Sequence, residues 1–434
     1  MLEIVKEFNC SCKKVHNAGI KQLLVEKGGI NKLPDFVKNF NAKSVFLVCD
    51  TNTFKVGGEK ALGLLLSNGY IVNTFIFPTT PFEPDENALN LLKSAYNNQD
   101  ILVAVGSGVI NDLSKILSCE KNIPYIIIAS APSMDGYASK TSSIISGGLK
   151  VTVNSKIADV IIGDVDILKT APNIALISGF GDMIAKYISI LEWKISNIIN
   201  GEYYCEEIAK IINNAVKECV DNIEGLLNRE EKAIEAVFCG LVLGGVGMNY
   251  AGCSRPASGV EHYFSHIWDM RALEFNTPLS THGIQCGIGT LYALKIYEQL
   301  KSIKVSREKA VSFVKNFNFN AYSKKMQKFI GKASLSMIKN EKVDKKYDIA
   351  LHEVRIDKII KNWEKIVELI SELPSYKDLF CLLNKIGAPT SISDIGLRED
   401  IKYDTFTFTK DIRNKYVLST LCFDLGIDVS ELDF

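Results

Sequence analysis

Short apolar runs alternate with amphipathic stretches through the first ~175 residues of the chain. Ser44 to Cys49, Ile71 to Phe77, Ile101 to Val105 and Tyr125 to Ala129 are such runs, each bounded by polar residues. The last two are almost continuously apolar, as in strands of a parallel sheet covered by helices on both faces. Helical periodicity fills the gaps, for example from Asp85 to Tyr96 after Pro84 and from Ile110 to Cys119. Strand and helix in alternation predict an open, mostly parallel α/β sheet.

From Ile174 the pattern changes. Met183 to Ile198, Cys205 to Leu227, Glu230 to Leu243, Gly287 to Leu300 and Val367 to Leu383 carry helical periodicity with few strand signals. The expected organisation is an α/β nucleotide-binding domain over residues 1–175 and an all-α domain over 176–434. At 434 residues, two domains are also what chain length favours.

Composition narrows the class. Fifty basic residues balance fifty acidic ones, and 47% of the chain is apolar. Nothing global points to nucleic acid or to stable membrane insertion. Met1 to Glu7 lacks the layout of a secretory leader, and no apolar run reads as long enough to span a bilayer. Eleven cysteines without framework spacing suit reduced thiols in a cytoplasm. Cys10-Ser11-Cys12 reads as two ordinary thiols, because no second Cys or His pair answers it. One stretch departs from charge balance: Lys301 to Asn362 holds sixteen Lys or Arg against six Asp or Glu. That is a solvated helical face more often than a device for steering anions.

Candidate chemistry gathers in a few places. Three of the five histidines, His262, His266 and His282, fall in one stretch, preceded by Gly179-Phe180-Gly181-Asp182. Two histidines and a carboxylate make a metal site with open positions, able to polarise a substrate oxygen. His262 and His266 are one helical turn apart, His282 begins an apolar-periodic run, and Asp182 opens another. Earlier, the strand at Ile101 runs into Gly106-Ser107-Gly108-Val109-Ile110-Asn111-Asp112. Glycines at a strand-to-helix turn let a pyrophosphate approach the helix N-terminus, although Asn111 stands where the usual fingerprint has Gly. Asp50, at the end of an earlier strand, could bond a ribose 2′-hydroxyl, which points to NAD rather than NADP, or could cap the following turn. Ser130-Ala131-Pro132-Ser133-Met134-Asp135-Gly136 and Ser139 form a hydroxyl-rich loop after a strand, on the edge where α/β folds bind ligands.

Taken in order, these motifs, with Arg255-Pro256-Ala257-Ser258-Gly259-Val260-Glu261-His262 and Thr281-His282-Gly283, resemble those of the sn-glycerol-1-phosphate dehydrogenase family. That family lies within the glycerol dehydrogenase, group III alcohol dehydrogenase and dehydroquinate synthase group. The resemblance spans roughly residues 40–300 and in length is closest to the bacterial type. It implies a dehydroquinate synthase-like fold and a cytoplasmic homo-oligomer. It also implies reduction of dihydroxyacetone phosphate with NAD or NADP, assisted by one divalent ion (zinc, nickel or iron). By motif matching, Asp182, His262 and His282 take the metal positions. Asp135 and His266, with Asp182, take substrate-contacting positions; Gly108 to Asp112, Ser130 to Ser133 and Ser139 take the cofactor positions. Iron-dependent relatives place a further His one turn after the Asp; here Lys186 stands there, which puts an iron-specific site in doubt.

In that scheme the ion stabilises the alkoxide formed by hydride transfer. His266 either relays the proton or only hydrogen-bonds in the outer shell, and Asp135 either accepts the substrate hydroxyl or forms an Asx turn. The substrate phosphate needs cations; Arg255, Lys186 and, outside the matched motifs, Arg271 are the candidates. Two alternatives stand beside this scheme: a glycerol dehydrogenase for the unphosphorylated polyol, and a catalytically silent NAD-binding regulator.

Overall fold

The computed structural model describes residues 7–78 and 82–434. The segment Met1 to Lys6, on which most of the leader argument rests, lies outside them. The chain divides into two compact units, Met1–Met183 with Glu206–Cys253, and Ile184–Cys205 with Ser254–Phe434.

The first unit is built on a six-stranded sheet. Its strands are β1 (Gln22–Glu26), β2 (Ser44–Asp50), β3 (Ile71–Phe77), β4 (Ile101–Gly106), β5 (Tyr125–Ala129) and β6 (Val160–Asp164). All neighbours run parallel, in the order β1-β6-β5-β4-β2-β3. Every residue of β4 and β5 is buried, as their unbroken apolar character requires. One face packs Val45, Leu47, Val103, Val105, Ile126 and Ile128 into the main core.

This order reverses at β2. The chain steps outward from β2 to β3 and then returns to the other side of β2 for β4. The carboxyl ends of β2 and β4 therefore lie side by side at a topological switch point, where open α/β sheets bind ligands. Asp50 ends one strand and Gly106 the other.

Two parts of this unit differ from the sequence reading. Antiparallel strands Thr141–Ser146 and Leu149–Asn154 form a hairpin, where no strands were expected. Also, residues 206–253 belong to the first unit, although the expected boundary put them in the helical domain. The reason is the helix Glu231–Ala251, which is apolar around most of its circumference and packs back on the α/β layer. Its Asn249 Nδ2 donates to the carbonyls of Ala18 (3.0 Å) and Ala138 (2.7 Å), and Phe238 rests edge-on against Tyr137.

The second unit is all helix among the described residues, as expected. The periodic run from Val367 to Leu383 is two helices, Trp363–Ser371 and Tyr376–Lys385, separated around Pro374, which cannot continue the first. Of the sixteen basic residues between Lys301 and Asn362, all but Lys346 and Arg355 are exposed, which makes this stretch a solvated face.

Two helical stretches correct the statement that no run is long enough to cross a bilayer. Asn173–Asn200 and Glu231–Ala251 have the length and hydropathy for it, with 83% and 72% of their most apolar windows buried inside the protein. Burial of that extent is what core helices show.

One close approach sets the position of Asp182. The helix Asn173–Ile184 crosses the Ser130–Ser133 loop at Gly179, where a Cβ would stand 1.8 Å from the Pro132 carbonyl oxygen. Gly179→Ala should therefore push the helix away. The expected loss is about 3 kcal/mol, at the upper end for forced overpacking, read as a lower urea midpoint with an unchanged slope. A midpoint equal to that of the parent would show that the loop yields freely.

Candidate active site

In the first unit, the helix Gly108–Lys121 starts directly after β4, with Ser107 as its N-cap. No side chain caps this end, and the first intrahelical bond runs from Asn111 N to Ser107 O at 2.9 Å. The N–H groups of Gly108, Val109 and Ile110 thus have no acceptor within the helix and face the anion-binding end of its dipole.

Asn111 and Asp112 do something other than expected. The Asn111 amide donates to Gly136 O (3.1 Å) and accepts from Tyr125 OH (3.0 Å), so its polar atoms join helix, sheet and loop. Asp112 accepts the Ser143 N–H at 3.1 Å and pairs with Lys115 at 3.0 Å. Fully buried Lys115 also donates to the carbonyls of Gly136 (3.1 Å) and Thr141 (2.6 Å). Sequence reasoning missed Lys115, since nothing marks a lysine in a helix as buried until its carbonyl partners are known. Ser139 is likewise engaged, its Oγ 3.0 Å from Thr141 Oγ1. Ser133 O accepts from Ser178 Oγ at 3.0 Å, and Ser130 N donates to Gly106 O at 3.0 Å. Ala131 and Pro132 are buried in the same loop.

Asp50 is a cap. Its Oδ1 accepts from Asn52 N and Thr53 N, both at 2.8 Å, while Thr53 Oγ1 accepts the Asp50 N–H at 2.9 Å. Asp135 opens a short turn over Asp135–Ala138, and its N–H donates to Asp182 Oδ2 at 2.9 Å. Asp182 is fully buried near the end of its helix, where the sequence reading had it opening one.

In the second unit, His262 and His266 lie one turn apart on the helix Val260–Phe275, and His282 is the first residue of the helix His282–Leu300. These helices touch backbone to backbone: a Cβ at Gly289 would come within 2.7 Å of Glu261 O. That contact brings the His262 and His282 rings to 5.0 Å between centroids, with His266 at 6.3 Å from His282.

Each ring is fixed through Nδ1. His262 Nδ1 meets Glu261 Oε1 at 2.8 Å. Ser265 donates its hydroxyl proton to Gln285 Oε1 (2.6 Å), so its oxygen accepts from His282 Nδ1 at 3.0 Å. Each of these two rings thus has an acceptor behind its Nδ1 and turns Nε2 away from it, which is how metal-binding histidines are held. The donors fit a metal ion in another respect: one ligating atom each from His262, His282 and Cys286 lies within 4.8 Å of the other two.

Cys286 and Glu261 were missed in the sequence. Cys286 lies one turn after His282, a spacing that could have suggested it, with Sγ 3.7 Å from His282 Nε2. Burial acts to raise its thiol, but His262 and His282 outweigh this and lower it below its ordinary value. Glu261 Oε1 also accepts the Gly259 N–H at 2.6 Å, and its Oε2 is buried with no hydrogen-bond donor among the described residues. Nearby Glu192 accepts Val260 N (3.0 Å) and Leu418 N (2.7 Å). Burial, and then the charge of Glu261, push its carboxyl up to about 8.

The expected phosphate donors fare differently. Arg255 is 2% exposed and wholly engaged: Nε and Nη2 pair with Glu202, Nη1 with Tyr416 O at 2.8 Å, and Nη2 with Ser196 Oγ at 3.2 Å. Its fork has no face left for a phosphate, which corrects that assignment. Arg271 stacks on Phe329 at 4.1 Å and donates to the Phe329 carbonyl, so it too is structural. Lys186 is fully buried at the start of the helix Lys186–Asn200.

Residues 24–172 match the family described as iron-containing alcohol dehydrogenase. A glycerol-1-phosphate dehydrogenase, NAD(P)+, of Halalkalibacterium halodurans is 27% identical over 94% of this chain and 94% of its own. One from Bacillus subtilis is 31% identical, over 69% of this chain and 77% of its own. Among solved structures, an iron-containing alcohol dehydrogenase from Corynebacterium glutamicum superposes with a TM-score of 0.60. It covers 95% of each chain at 14% identity, a likeness of fold alone.

The Arg255 geometry makes a prediction. Arg255→Ala leaves Glu202 half-buried and without its main partner. It should cost about 3 kcal/mol, as when one member of a buried pair is removed. Thermal unfolding measures this; a variant as stable as the parent would return Arg255 to the list of ligand contacts.

Proposed function

Because the chain belongs to the glycerol-1-phosphate dehydrogenase family, we propose that it reduces dihydroxyacetone phosphate reversibly to sn-glycerol 1-phosphate with NAD(H) or NADP(H). The observation that carries this reading is the pair of imidazoles, His262 and His282, each held through Nδ1 and converging with Cys286 on one point. By match to the family motifs, Asp182 is the third ligand. A divalent ion bound there supplies positive charge where hydride transfer builds negative charge on the carbonyl oxygen. Imidazole and carboxylate donors with a thiol in reach suit zinc best.

The chain's own groups do the rest. Glu261 and Ser265 keep the two rings in the ligating tautomer. The N–H groups of Gly108, Val109 and Ile110 receive the cofactor pyrophosphate at the switch point, and the Ser130–Ser133 loop lies after the neighbouring strand. Asn111, Asp112 and Ser139 act on the cofactor through the position of the Asp135–Ala138 turn and the hairpin after it rather than by side-chain contact. His266, an imidazole one turn from His262, returns the proton to the product oxygen. Asp135 accepts the substrate hydroxyl. With Arg255 and Arg271 engaged elsewhere, Lys186 is the proposed phosphate donor. None of the eleven cysteines forms a disulfide, which supports a cytoplasmic location.

Initial rates with dihydroxyacetone phosphate against dihydroxyacetone test the substrate. The phosphorylated ketone should be preferred at least ten-fold in kcat/KM; equal use of both would favour the glycerol dehydrogenase alternative. His282→Ala should abolish turnover and empty the His262 site of its metal while NADH fluorescence still reports cofactor binding. Turnover equal to the parent's in that variant would sink the ligand assignment.

Asp50 yields a separate expectation. Its Oδ1 is occupied by the cap, so a ribose contact has to use Oδ2. Asp50→Ala should then cost about 1 kcal/mol of stability from the cap and narrow any NADH over NADPH preference by a further 1–3 kcal/mol, roughly. The stability loss without a change in cofactor ratio would leave Asp50 as a cap alone.

A further inference from the structure

A second group of metal-ligating side chains stands in the N-terminal hairpin of the first unit. Strands Phe8–Asn9 and Val15–His16 pair antiparallel, Phe8 opposite His16. A ladder of two residues a side has little stability of its own in water. The turn is closed by Lys13 N to Cys10 O (3.0 Å) and Cys10 N to Lys14 O (3.1 Å), with Lys13 in the left-handed region at φ 66°. That closure brings both cysteines of the Cys-Ser-Cys motif to His16, which answers the motif from only four residues beyond Cys12.

The geometry is that of a ligand set. One ligating atom each from Cys10, Cys12 and His16 lies within 4.8 Å of the other two, and Cys12 Sγ is 3.3 Å from His16 Nε2. Neighbouring sulfur and nitrogen ligands around tetrahedral zinc, with bonds of about 2.3 and 2.0 Å, stand roughly 3.5 Å apart. His16 is fully buried, and its Nδ1 lies 2.9 Å from Tyr250 O. A carbonyl oxygen only accepts, so Nδ1 carries the proton and the Nε2 lone pair points at the sulfur. A carbonyl behind a ligating imidazole is the common means of fixing its tautomer. The ring is wedged against Phe8 (5.1 Å between centroids) and Tyr250 (5.5 Å). A single S–H···N bond would account for Cys12, but not for Cys10 arriving at the same point.

We propose that Cys10, Cys12 and His16 bind a structural zinc ion that clips this hairpin. Binding releases the two thiol protons to solvent, and a donor outside the hairpin fills the fourth corner. The site is independent of the dehydrogenase reading.

Zinc content and zinc-edge X-ray absorption of the full chain test it, in a His282→Ala/Cys286→Ala background that removes one imidazole and the thiol of the other candidate site. About one zinc per chain with at least two sulfurs near 2.3 Å is expected. Adding Cys10→Ser and Cys12→Ser should lower occupancy at least ten-fold under the same zinc concentration. Cys12→His, which keeps a zinc donor, should retain the ion with one sulfur fewer. No zinc in the background variant, a shell of nitrogen and oxygen only, or an unchanged sulfur shell in either cysteine variant overturns the proposal.

Discussion

A neutral imidazole offers one lone pair, and the bond made by one ring nitrogen decides where that lone pair points. The protein applies this constraint three times with three different acceptors: the Glu261 carboxylate behind His262, the Ser265 hydroxyl behind His282 and the Tyr250 carbonyl behind His16. In each case Nδ1 is held and Nε2 faces other donors. Buried His352 supplies the contrast. Its Nε2 meets Asp424 O at 3.0 Å, and among the described residues its Nδ1 has no hydrogen-bond partner and no group of three ligating side chains forms around it. A held ring becomes a ligand only where other donors arrive at the same point.

Convergence is a property of backbones before it is one of side chains. The rings of His262 and His282 meet because Gly289 lets one helix lie directly on the other at Glu261. In the first unit, Lys115 and Asn111 draw the Asp135–Ala138 turn onto the helix Gly108–Lys121 through the single carbonyl of Gly136. The turn is thus positioned by the chain's own groups, which is the condition for fixed dipoles to stabilise a developing charge.

How much of this the sequence discloses depends on the distance over which each feature is decided. Strands β4 and β5 were legible because burial on both faces writes itself into consecutive residues. The histidine pair was legible because one turn of helix separates His262 from His266, and because a helix starts at His282. Arg255 was misread because a guanidinium has the same sequence signature whether it meets a phosphate or, as here, Glu202 fifty-three residues away. Helix Glu231–Ala251 was read correctly as a helix, but its partner layer was not, since an all-round apolar surface does not say what covers it. Cys10-Ser11-Cys12 was set aside for lack of a partner pair, when one histidine four residues on supplies the answering donor.

Glu192 connects these levels. It is pushed up to about 8 by burial and by Glu261, so at neutral pH it is mostly protonated. In that state it still accepts from Val260 N and Leu418 N, and so ties the start of the histidine helix to a distant segment of its own unit. Arg255 reinforces the preceding turn from the other side through Tyr416 O, and Ser189 Oγ holds the Pro256 carbonyl at 3.1 Å. An ionised carboxylate at this position would compete with Glu261 for His262 and for any cation. A neutral one fastens the backbone without adding that charge. Glu192 and Glu261 thus divide the work: the first fastens the backbone, and the second orients His262.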